Sequence, residues 1–211
     1  MRLVRVTDRN SRAYADAIAI LHEAIASEAQ LPEPRFHDLL ARWNYQLFAY
    51  VLEEDVQGVA LVYFSDALRF VWLDYFAIRS DLRSHGLGSK LFREIVRFAE
   101  KQNAEPEWLL FEVDDDYAGD AEREADGKRR IAFYRRLGAR VLENVSYKFP
   151  SAFTSPIRMR LMTCQIHPNA KLTPDDLKGA VREVFLNIHG RGSDDELLRF
   201  EESLPDRLQM E

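Results

Sequence analysis

The stretch "LRSHGLGSKLF", residues 82–92, decides how the fold is interpreted. It follows the apolar run "LRFVWLDYFAI" (68–78), and apolar residues at helical spacing come directly after it. Two of the nine glycines in the chain, Gly86 and Gly88, flank a single leucine there. The pattern predicts a strand, then a loop with two glycines, then an amphipathic helix over about residues 88–102.

The residues alone leave two explanations for this glycine pair. At the start of a helix, free amides and the positive end of the dipole can hold a phosphate against bare backbone, and Arg83 would add a positive charge. Alternatively, Gly86 permits a positive φ in a turn and Gly88 permits a close packing contact. Leu91 replaces the third glycine of the dinucleotide-binding fingerprint, and the phosphate-loop pattern with Gly-Lys-Ser/Thr is absent.

Periodicity over the first 168 residues predicts the element order βααβββαβαββ. A hairpin is expected between "YQLFAYVLE" (45–53) and "GVALVYFS" (58–65), and a short helix in "RRIAFYRRLGA", which stops at Gly138. The segments "ARVLENVSYKF" (139–149) and "PIRMRLMTCQI" (156–166) are expected to form a pair of strands.

Residues 169–211 are predicted to form a helical tail outside the domain of residues 1–168. Thr173 before Pro174 is a helix-start signal, and Ser193 with Glu196 predicts a capping box for a second helix. The apolar stripes of the tail are expected to pack on the domain or across a homodimer interface, since exposed stripes would be adhesive.

Composition narrows the functional classes. A chain of 211 residues with 46% hydrophobic content can bury a sizeable core, and the net charge of -6 disfavours nonspecific binding to nucleic acid or anionic membranes. No metal is expected, because the five histidines lack metal-ligand spacing. A single cysteine and no apolar segment of membrane-spanning length favour a cytoplasmic protein.

Two motifs resemble those of the GNAT superfamily of acyl-CoA N-acyltransferases. "RSHGLG" (83–88) matches its Q/R-x-x-G-x-G/A element, and "IAFYRRLGA" (131–139) is similar to its A-x-x-Y-x-x-x-G-F segment, with Ala139 in place of the usual aromatic. The resemblance covers about residues 1–165 and is sharp over residues 73–138. It implies an α+β fold in which a central, twisted, mostly antiparallel sheet is flanked by helices and its fourth and fifth strands splay apart.

The resemblance also implies acetyl-CoA as the acyl donor. In the family, loop amides hold the pyrophosphate, and the pantetheine arm pairs with backbone at the end of the fourth strand. The pantetheine positions would be Phe76, Ala77 and Ile78. The loop positions would be Arg83, Ser84, His85, Gly86, Leu87, Gly88 and Ser89.

The family's chemistry nominates catalytic residues as well. Tyr134 stands where a tyrosine commonly protonates the leaving thiolate. Asp74 and Glu112, on the fourth and fifth strands, are both candidate general bases acting through a water, and some relatives use water chains with no single base. Strand alternation predicts that Asp74 lies on the same face as Phe76.

Two departures from the family pattern bear on the binding of the acyl donor and of the acceptor. Arg129 stands where many relatives carry an asparagine, and it is expected on a solvated helix face or at CoA phosphates. The segment 114–126 has seven acids and one base, and it is either a solvated loop or an attractant for a cationic amine. The sequence thus favours an N-acetyltransferase acting on a small-molecule or protein amine. A sensor or interaction module that binds acyl-CoA without turnover is the alternative.

Overall fold

The computed structural model describes residues 1–102, 105–115 and 121–211, without the side chain of Glu122. Eight strands form one sheet in the order β1-β2-β3-β4-β5-β8-β6, and β7 also pairs with β8. All pairs are antiparallel except β4 with β5. The strands are β1 (Arg2–Arg5), β2 (Tyr45–Leu52), β3 (Asp55–Phe64), β4 (Phe70–Ile78), β5 (Trp108–Asp114), β6 (Arg140–Val141), β7 (Tyr147–Phe149) and β8 (Ile157–Gln165).

Helices cover both faces of the sheet, and the sheet separates two apolar clusters. On one face, here called the tail face, α1, α2, α5 and α6 pack over the sheet. On the opposite face, called the α3 face, α3 and α4 pack over it. The helices are α1 (Arg12–Ala24), α2 (Glu33–Leu40), α3 (Leu87–Glu100), α4 (Ala121–Arg135), α5 (Pro174–Val184) and α6 (Asp195–Glu202).

The parallel pair β4–β5 opens partway along its length. Hydrogen-bonded register joins Phe70–Trp72 to Trp108–Leu110 and goes no further. Beyond these residues the two strands separate, although both continue as strands on their other sides. The predicted mostly antiparallel sheet with splayed fourth and fifth strands is therefore confirmed, and the splay creates a cleft between β4 and β5.

A bulge changes the side-chain alternation of β4 at Asp74. Leu73 and Tyr75 pair with consecutive residues of β3, so Asp74 is the extra residue in this ladder. Its carboxylate accepts a short hydrogen bond from the hydroxyl of Tyr45, which belongs to the tail face. Phe76 packs on the α3 face. The prediction that Asp74 and Phe76 share a face is therefore wrong, because simple alternation does not survive an inserted residue.

The helix α4 begins at Ala121, about eight residues before the predicted start. Its first turns use part of the acidic segment, where oppositely charged side chains lie three or four residues apart: Glu124 with Lys128 at 4.0 Å and Asp126 with Arg129 at 2.9 Å. Such pairs stabilise a helix by about 0.2–0.5 kcal/mol each. Arg129 is 73% exposed, which agrees with a solvated helix face.

The predicted strand over residues 139–149 is divided into β6 and β7. Between them, Asn144 holds the end of the chain through its side-chain amide, with Nδ2 donating to the Arg207 carbonyl and Oδ1 accepting from the Gln209 amide, both at 2.8 Å. These contacts come from residues more than sixty positions away, and local propensity does not encode them.

The tail packs on the sheet. Thr173 and Asp176 form a capping box at the start of α5, as expected of a helix starting there. The capping box predicted for Ser193 with Glu196 is wrong, since Asp194 is the N-cap of α6 and accepts from the Glu196 amide. Buried tail residues such as Val181 and Phe185 join the apolar cluster of the tail face. Across the described residues, no helix has both the length and the apolar character needed to cross a bilayer.

Candidate active site

The loop between β4 and α3 combines left-handed backbone with an open helix start. Gly86 is the N-cap of α3 with a φ of 74°, and among the described residues no side chain caps the helix there. A Cβ at this position would meet nothing within 4 Å, so the space beyond it is open. Ser84 also has a positive φ, 67°. The amides of the first helical turn therefore lack a protein cap on a loop whose backbone is accessible.

The second glycine has a packing role. A Cβ on Gly88 would lie 3.2 Å from the ring of Phe133 on α4, so a larger residue would push α3 and α4 apart. The second explanation offered by the sequence, a turn and a packing contact, is therefore observed, and the first, phosphate binding, stays a prediction. Gly86 adopts the positive φ, Gly88 permits the close approach of two helices, and both leave the helix start uncovered.

Arg83 ties this loop to the end of β4. Its Nε donates to the carbonyl of Ile78 at 3.2 Å, and its own carbonyl lies 2.8 Å from Nδ1 of His85. The loop and the last residues of β4 are thereby fixed relative to each other. This brings two of the sequence-predicted donor-binding segments, 76–78 and 83–89, into one neighbourhood.

The three predicted catalytic residues line one cleft. A cavity of about 120 Å³ lies where β4 and β5 separate, and Asp74, Glu112 and Tyr134 are all on its wall. The two carboxyl groups come from the separated strands and Tyr134 comes from α4. Phe76 lines the same cleft, whereas Ala77 and Ile78 lie further along β4.

Burial raises the pKa of Glu112 to about 8. The nearby Tyr147 hydroxyl opposes this rise, while the Asp74 and Asp114 carboxylates add to it. Within the described part of the chain, neither Oε2 of Glu112 nor the Tyr147 hydroxyl has a hydrogen-bond partner of good geometry. One carboxyl oxygen in the cleft is therefore available to accept a proton.

Burial likewise raises the pKa of Asp74 to about 7, and the hydrogen bond from Tyr45 works against the rise. The donor hydroxyl is itself buried, and burial with the Asp74 charge holds the pKa of Tyr45 well above its usual value. Tyr45 therefore remains a proton donor to Asp74 across the neutral range. Asp74 thus accepts a hydrogen bond from a buried tyrosine, unlike Oε2 of Glu112.

Tyr134 is 8% exposed and packs among four phenylalanine rings. Burial raises its pKa above the ordinary value, and the positive charge of Arg130 opposes the shift. The hydroxyl therefore keeps its proton at neutral pH. The ring of Tyr134 thus belongs to the core, and the residue also borders the cleft.

Sequence reasoning missed three residues at this site. Tyr45 and Tyr147 lie in apolar strands, where their spacing matches that of core residues, and only sheet pairing brings them to the two carboxyl groups. Arg130 also lines the cleft. Its place one turn before Tyr134 was the available signal.

The acidic segment is partly neutralised by arginines. Asp114 lies 2.8 Å from Arg130, and the fully buried carboxyl of Asp115 forms an ion pair with Arg158. These two carboxylates are therefore not free attractants for a cation. Residues 116–120 of the segment lie outside the described residues. Among the residues that are described, no group of three potential metal ligands converges.

Comparisons with known proteins agree with this geometry. The model of the acetyltransferase (GNAT) family matches residues 15–139, which is more than half of the chain. "Putative acetyltransferase YjbC" of Bacillus subtilis is 24% identical over 130 residues. That match spans 61% of this chain and 60% of the relative, so the chain covers less than two thirds of that protein.

Solved structures show the same fold. A "Putative acetyltransferase from GNAT family" of Bacteroides thetaiotaomicron superposes with a TM-score of 0.72 at 19% identity, covering 90% of this chain and 99% of that one. A GNAT family acetyltransferase of Elizabethkingia anophelis with acetyl-CoA bound superposes with a TM-score of 0.53 at 13% identity, covering 78% and 97%. With the cleft, the open helix start and the family match together, the chain belongs to the GNAT family of acetyltransferases.

Proposed function

We propose that this protein is an acetyl-CoA-dependent N-acetyltransferase that moves an acetyl group to a primary amine by direct attack within a ternary complex. One observation supports this above others. Two carboxyl groups with raised pKa values and a protonated tyrosine line a single cleft where β4 and β5 separate. Groups with shifted pKa values in a cleft are typical of acid–base chemistry.

The residues around α3 fit an acyl-CoA. The uncapped first turn of the helix offers amides and the positive end of a dipole to a pyrophosphate, and the bare Gly86 leaves room for it. The β4 edge beyond Trp72 has no strand partner on the β5 side, so it can pair with an extended pantetheine arm. The acetyl-CoA in the Elizabethkingia anophelis structure agrees with this assignment.

The acceptor must lose a proton before it can attack. An amine with a pKa of ~10.4 is neutral in only about one molecule per 10³ at pH 7. We assign the role of base to Glu112, because among the described residues its Oε2 has no hydrogen-bond partner of good geometry. Asp74, in contrast, already accepts a hydrogen bond from Tyr45. Glu112 takes the amine proton directly or through a water.

Tyr134 supplies the second proton. Acetyl-CoA contributes an activated acyl group whose carbon–sulfur bond breaks as the carbon–nitrogen bond forms. The raised pKa of Tyr134 means that its hydroxyl holds a proton ready for the departing sulfur. The attacking nitrogen loses a second proton as the amide forms, and this proton restores the Tyr134 hydroxyl. The products are then an amide and a neutral thiol, with Glu112 protonated.

The substitution Tyr134→Phe tests this assignment, since it removes the hydroxyl and keeps the ring among its neighbours. We expect kcat to fall about 10²- to 10⁴-fold, the usual contribution of a positioned acid. Calorimetric affinity for CoA should stay within twofold of the original. Thiol release during acetylation of an amine panel is the readout.

Tyr50→Phe is the matched control, because Tyr50 is a buried tyrosine of the same α3 face and is not on the cleft wall. It should leave kcat unchanged. Unaltered acetylation by Tyr134→Phe would remove the acid role. CoA binding with no thiol release for any amine would favour the sensor alternative instead.

A further inference from the structure

A second, larger cavity adjoins the catalytic cleft on the tail face. It has a volume of about 480 Å³ and lies between α1, the turn at Ser27–Ala29 and α2. Ile25 and Tyr75 line both the cavity and the cleft, so the two spaces are neighbours across these side chains. Pockets of this size hold small molecules.

Tyr75 fixes the boundary between the two spaces. Its hydroxyl accepts from the Leu31 amide at 2.8 Å and donates to the Ala29 carbonyl at 3.0 Å. The residue before it on β4 is Asp74, which lines the cleft. Tyr75 and Ile25 therefore lie between a molecule seated in the cavity and the cleft that Asp74 lines.

The cavity is lined mainly by apolar side chains. Two of the polar side chains that line it already have partners within the protein. Gln30 donates to the backbone carbonyl of Ile25 at 2.7 Å, and its Oε1 lies 3.1 Å from Nδ1 of His22. The apolar and aromatic lining includes Tyr14, Ile18, Leu21, Leu31, Phe36 and Phe153.

Charge is scarce in this cavity. Of the described residues that line it, Glu33 alone is acidic, and its side chain is 86% exposed and lies 3.6 Å from His37. A second ammonium group inside the cavity would therefore lose its hydration without gaining a buried partner, which costs several kcal/mol. The carboxylate of Asp114 on the cleft wall and that of Asp115 next to it in the chain already pair with arginines.

The loop between β7 and β8 contributes Phe153 to the wall of the cavity. The hydroxyl of buried Ser151 donates to the Glu28 carbonyl at 2.6 Å and accepts from the Phe153 amide at 3.2 Å. Phe153 is 59% exposed although it is a large apolar residue that lines the cavity. An apolar ligand below it would cover this ring.

We infer that this cavity holds the body of the acceptor, and that the acceptor is a small primary monoamine with an apolar, aryl-bearing body. The inference rests on the proposed N-acetyltransferase function and narrows its substrate class. The apolar body packs below Phe153 and the single amine reaches past Tyr75 to the cleft. This narrows the cationic amine that the acidic segment suggests from sequence to an acceptor with a single charged group.

The first experiment compares acceptors on the intact protein. Thiol release is measured with 2-phenylethylamine, putrescine and spermidine at equal pH and saturating acetyl-CoA. We expect kcat/KM for 2-phenylethylamine to exceed that for either polyamine at least about tenfold, the discrimination that a few buried methylene-sized contacts provide. A preference for spermidine, or acetylation confined to peptide amines, would overturn the inference and leave the N-acetyltransferase function standing.

The second experiment separates binding from turnover. Calorimetry measures 2-phenylethylamine binding to the CoA complex of the original chain, of Phe153→Gln and of Ile18→Thr. Both variants should weaken binding about five- to tenfold, and Phe153 is exposed enough that folding is unaffected by its replacement. Leu198→Gln is the control, because Leu198 is 50% exposed on α6 and does not line the cavity.

The two measurements distinguish failure of the cavity assignment from failure of the proposed function. Binding that depends on Phe153 and Ile18 without thiol release would support the cavity assignment and reject the proposed function. Acetylation of 2-phenylethylamine with equal affinity in all three variants would support the function and overturn the cavity assignment.

Discussion

Asp74 and Glu112 differ in the tyrosine that each one meets. Tyr45 donates a hydrogen bond to Asp74, whereas the Tyr147 hydroxyl lies near Glu112 without good hydrogen-bond geometry. Burial raises the pKa of both carboxyl groups, to about 7 for Asp74 and about 8 for Glu112. The Asp74 charge adds to the rise in the pKa of Glu112, so ionisation of Asp74 makes ionisation of Glu112 less favourable.

These shifts predict the pH dependence of the reaction. A base must be ionised, so kcat/KM should rise as pH increases through about 8. Asp74→Asn removes a negative charge that raises the pKa of Glu112, so this rise should move to lower pH. Tyr147→Phe removes a hydroxyl that lowers that pKa, so the rise should move to higher pH. Steady-state rates between pH 5.5 and 9.5 measure both directions.

The acceptor amine also becomes more reactive as pH rises, so every variant is compared with the original chain on the same acceptor. Glu112→Gln should lower kcat/KM about 10²-fold or more. It should also remove the rise near pH 8 and leave only the rise caused by the acceptor amine. Shifts of the same sign in Asp74→Asn and Tyr147→Phe would contradict the assignment of Glu112 as the base.

At the scale of elements, Gly127 controls how closely α4 approaches β5. A Cβ on this residue would lie 2.7 Å from the carbonyl oxygen of Asp114 and 2.8 Å from that of Asp115. Arg130 and Tyr134 follow at three and seven residues, on the same side of the helix. The close approach therefore carries both residues to the wall of the cleft.

Gly127→Ala should destabilise the protein despite the higher helix propensity of alanine, which favours it by about 1 kcal/mol. Backbone carbonyls cannot rotate away as a side chain can, so α4 must move, and overpacking of this kind costs about 1–3 kcal/mol. Urea denaturation and the KM for the acceptor report the change in stability and in site geometry.

Gly179→Ala is the control for helix propensity. Gly179 lies inside α5, and its new Cβ would meet only the side chain of Leu68, at 3.0 Å. We expect this variant to be neutral or slightly stabilising. Equal unfolding free energies for the two variants would show that the α4–β5 approach is not tight.

At the scale of the whole molecule, the tail is part of the core of the tail face. Glu183 accepts hydrogen bonds from Tyr63 and Ser65 on β3 and its following turn, and Arg35 on α2 donates to carbonyls of the tail. Glu211 pairs with Val141 through two backbone hydrogen bonds. The domain boundary predicted between residues 168 and 169 stays a prediction. In the folded protein, the parts on either side of it pack into the same apolar cluster.

Adjacent residues in the tail provide a test of this packing. Phe185 is fully buried between the tail and the sheet, whereas Leu186 is 56% exposed. Phe185→Ala should lower the unfolding free energy of the whole protein by about 3–5 kcal/mol in a single transition. Leu186→Ala should change it by less than about 0.5 kcal/mol. Two separate transitions in Phe185→Ala would mean that the tail folds as an independent unit.

The sequence by itself determined the features that depend on neighbours in the chain. The loop at Gly86, the amphipathic α3 and the position of Tyr134 on α4 are all encoded by spacings within one element, because a helix or a turn responds to residues a few positions apart. The expectation of a mostly antiparallel sheet with a splayed pair came instead from the resemblance of two short motifs to those of the GNAT superfamily.

Tertiary structure alone decided which side chains meet. The bulge at Asp74 reverses the alternation of β4, sheet pairing brings Tyr147 to Glu112, and the folded loop sets Phe153 over a cavity formed by α1 and α2. Each depends on contacts between residues far apart in the chain, whose energies no local pattern records. The proposed donor site therefore lies largely within one segment of the sequence, whereas the cavity proposed for the acceptor exists only in the assembled fold.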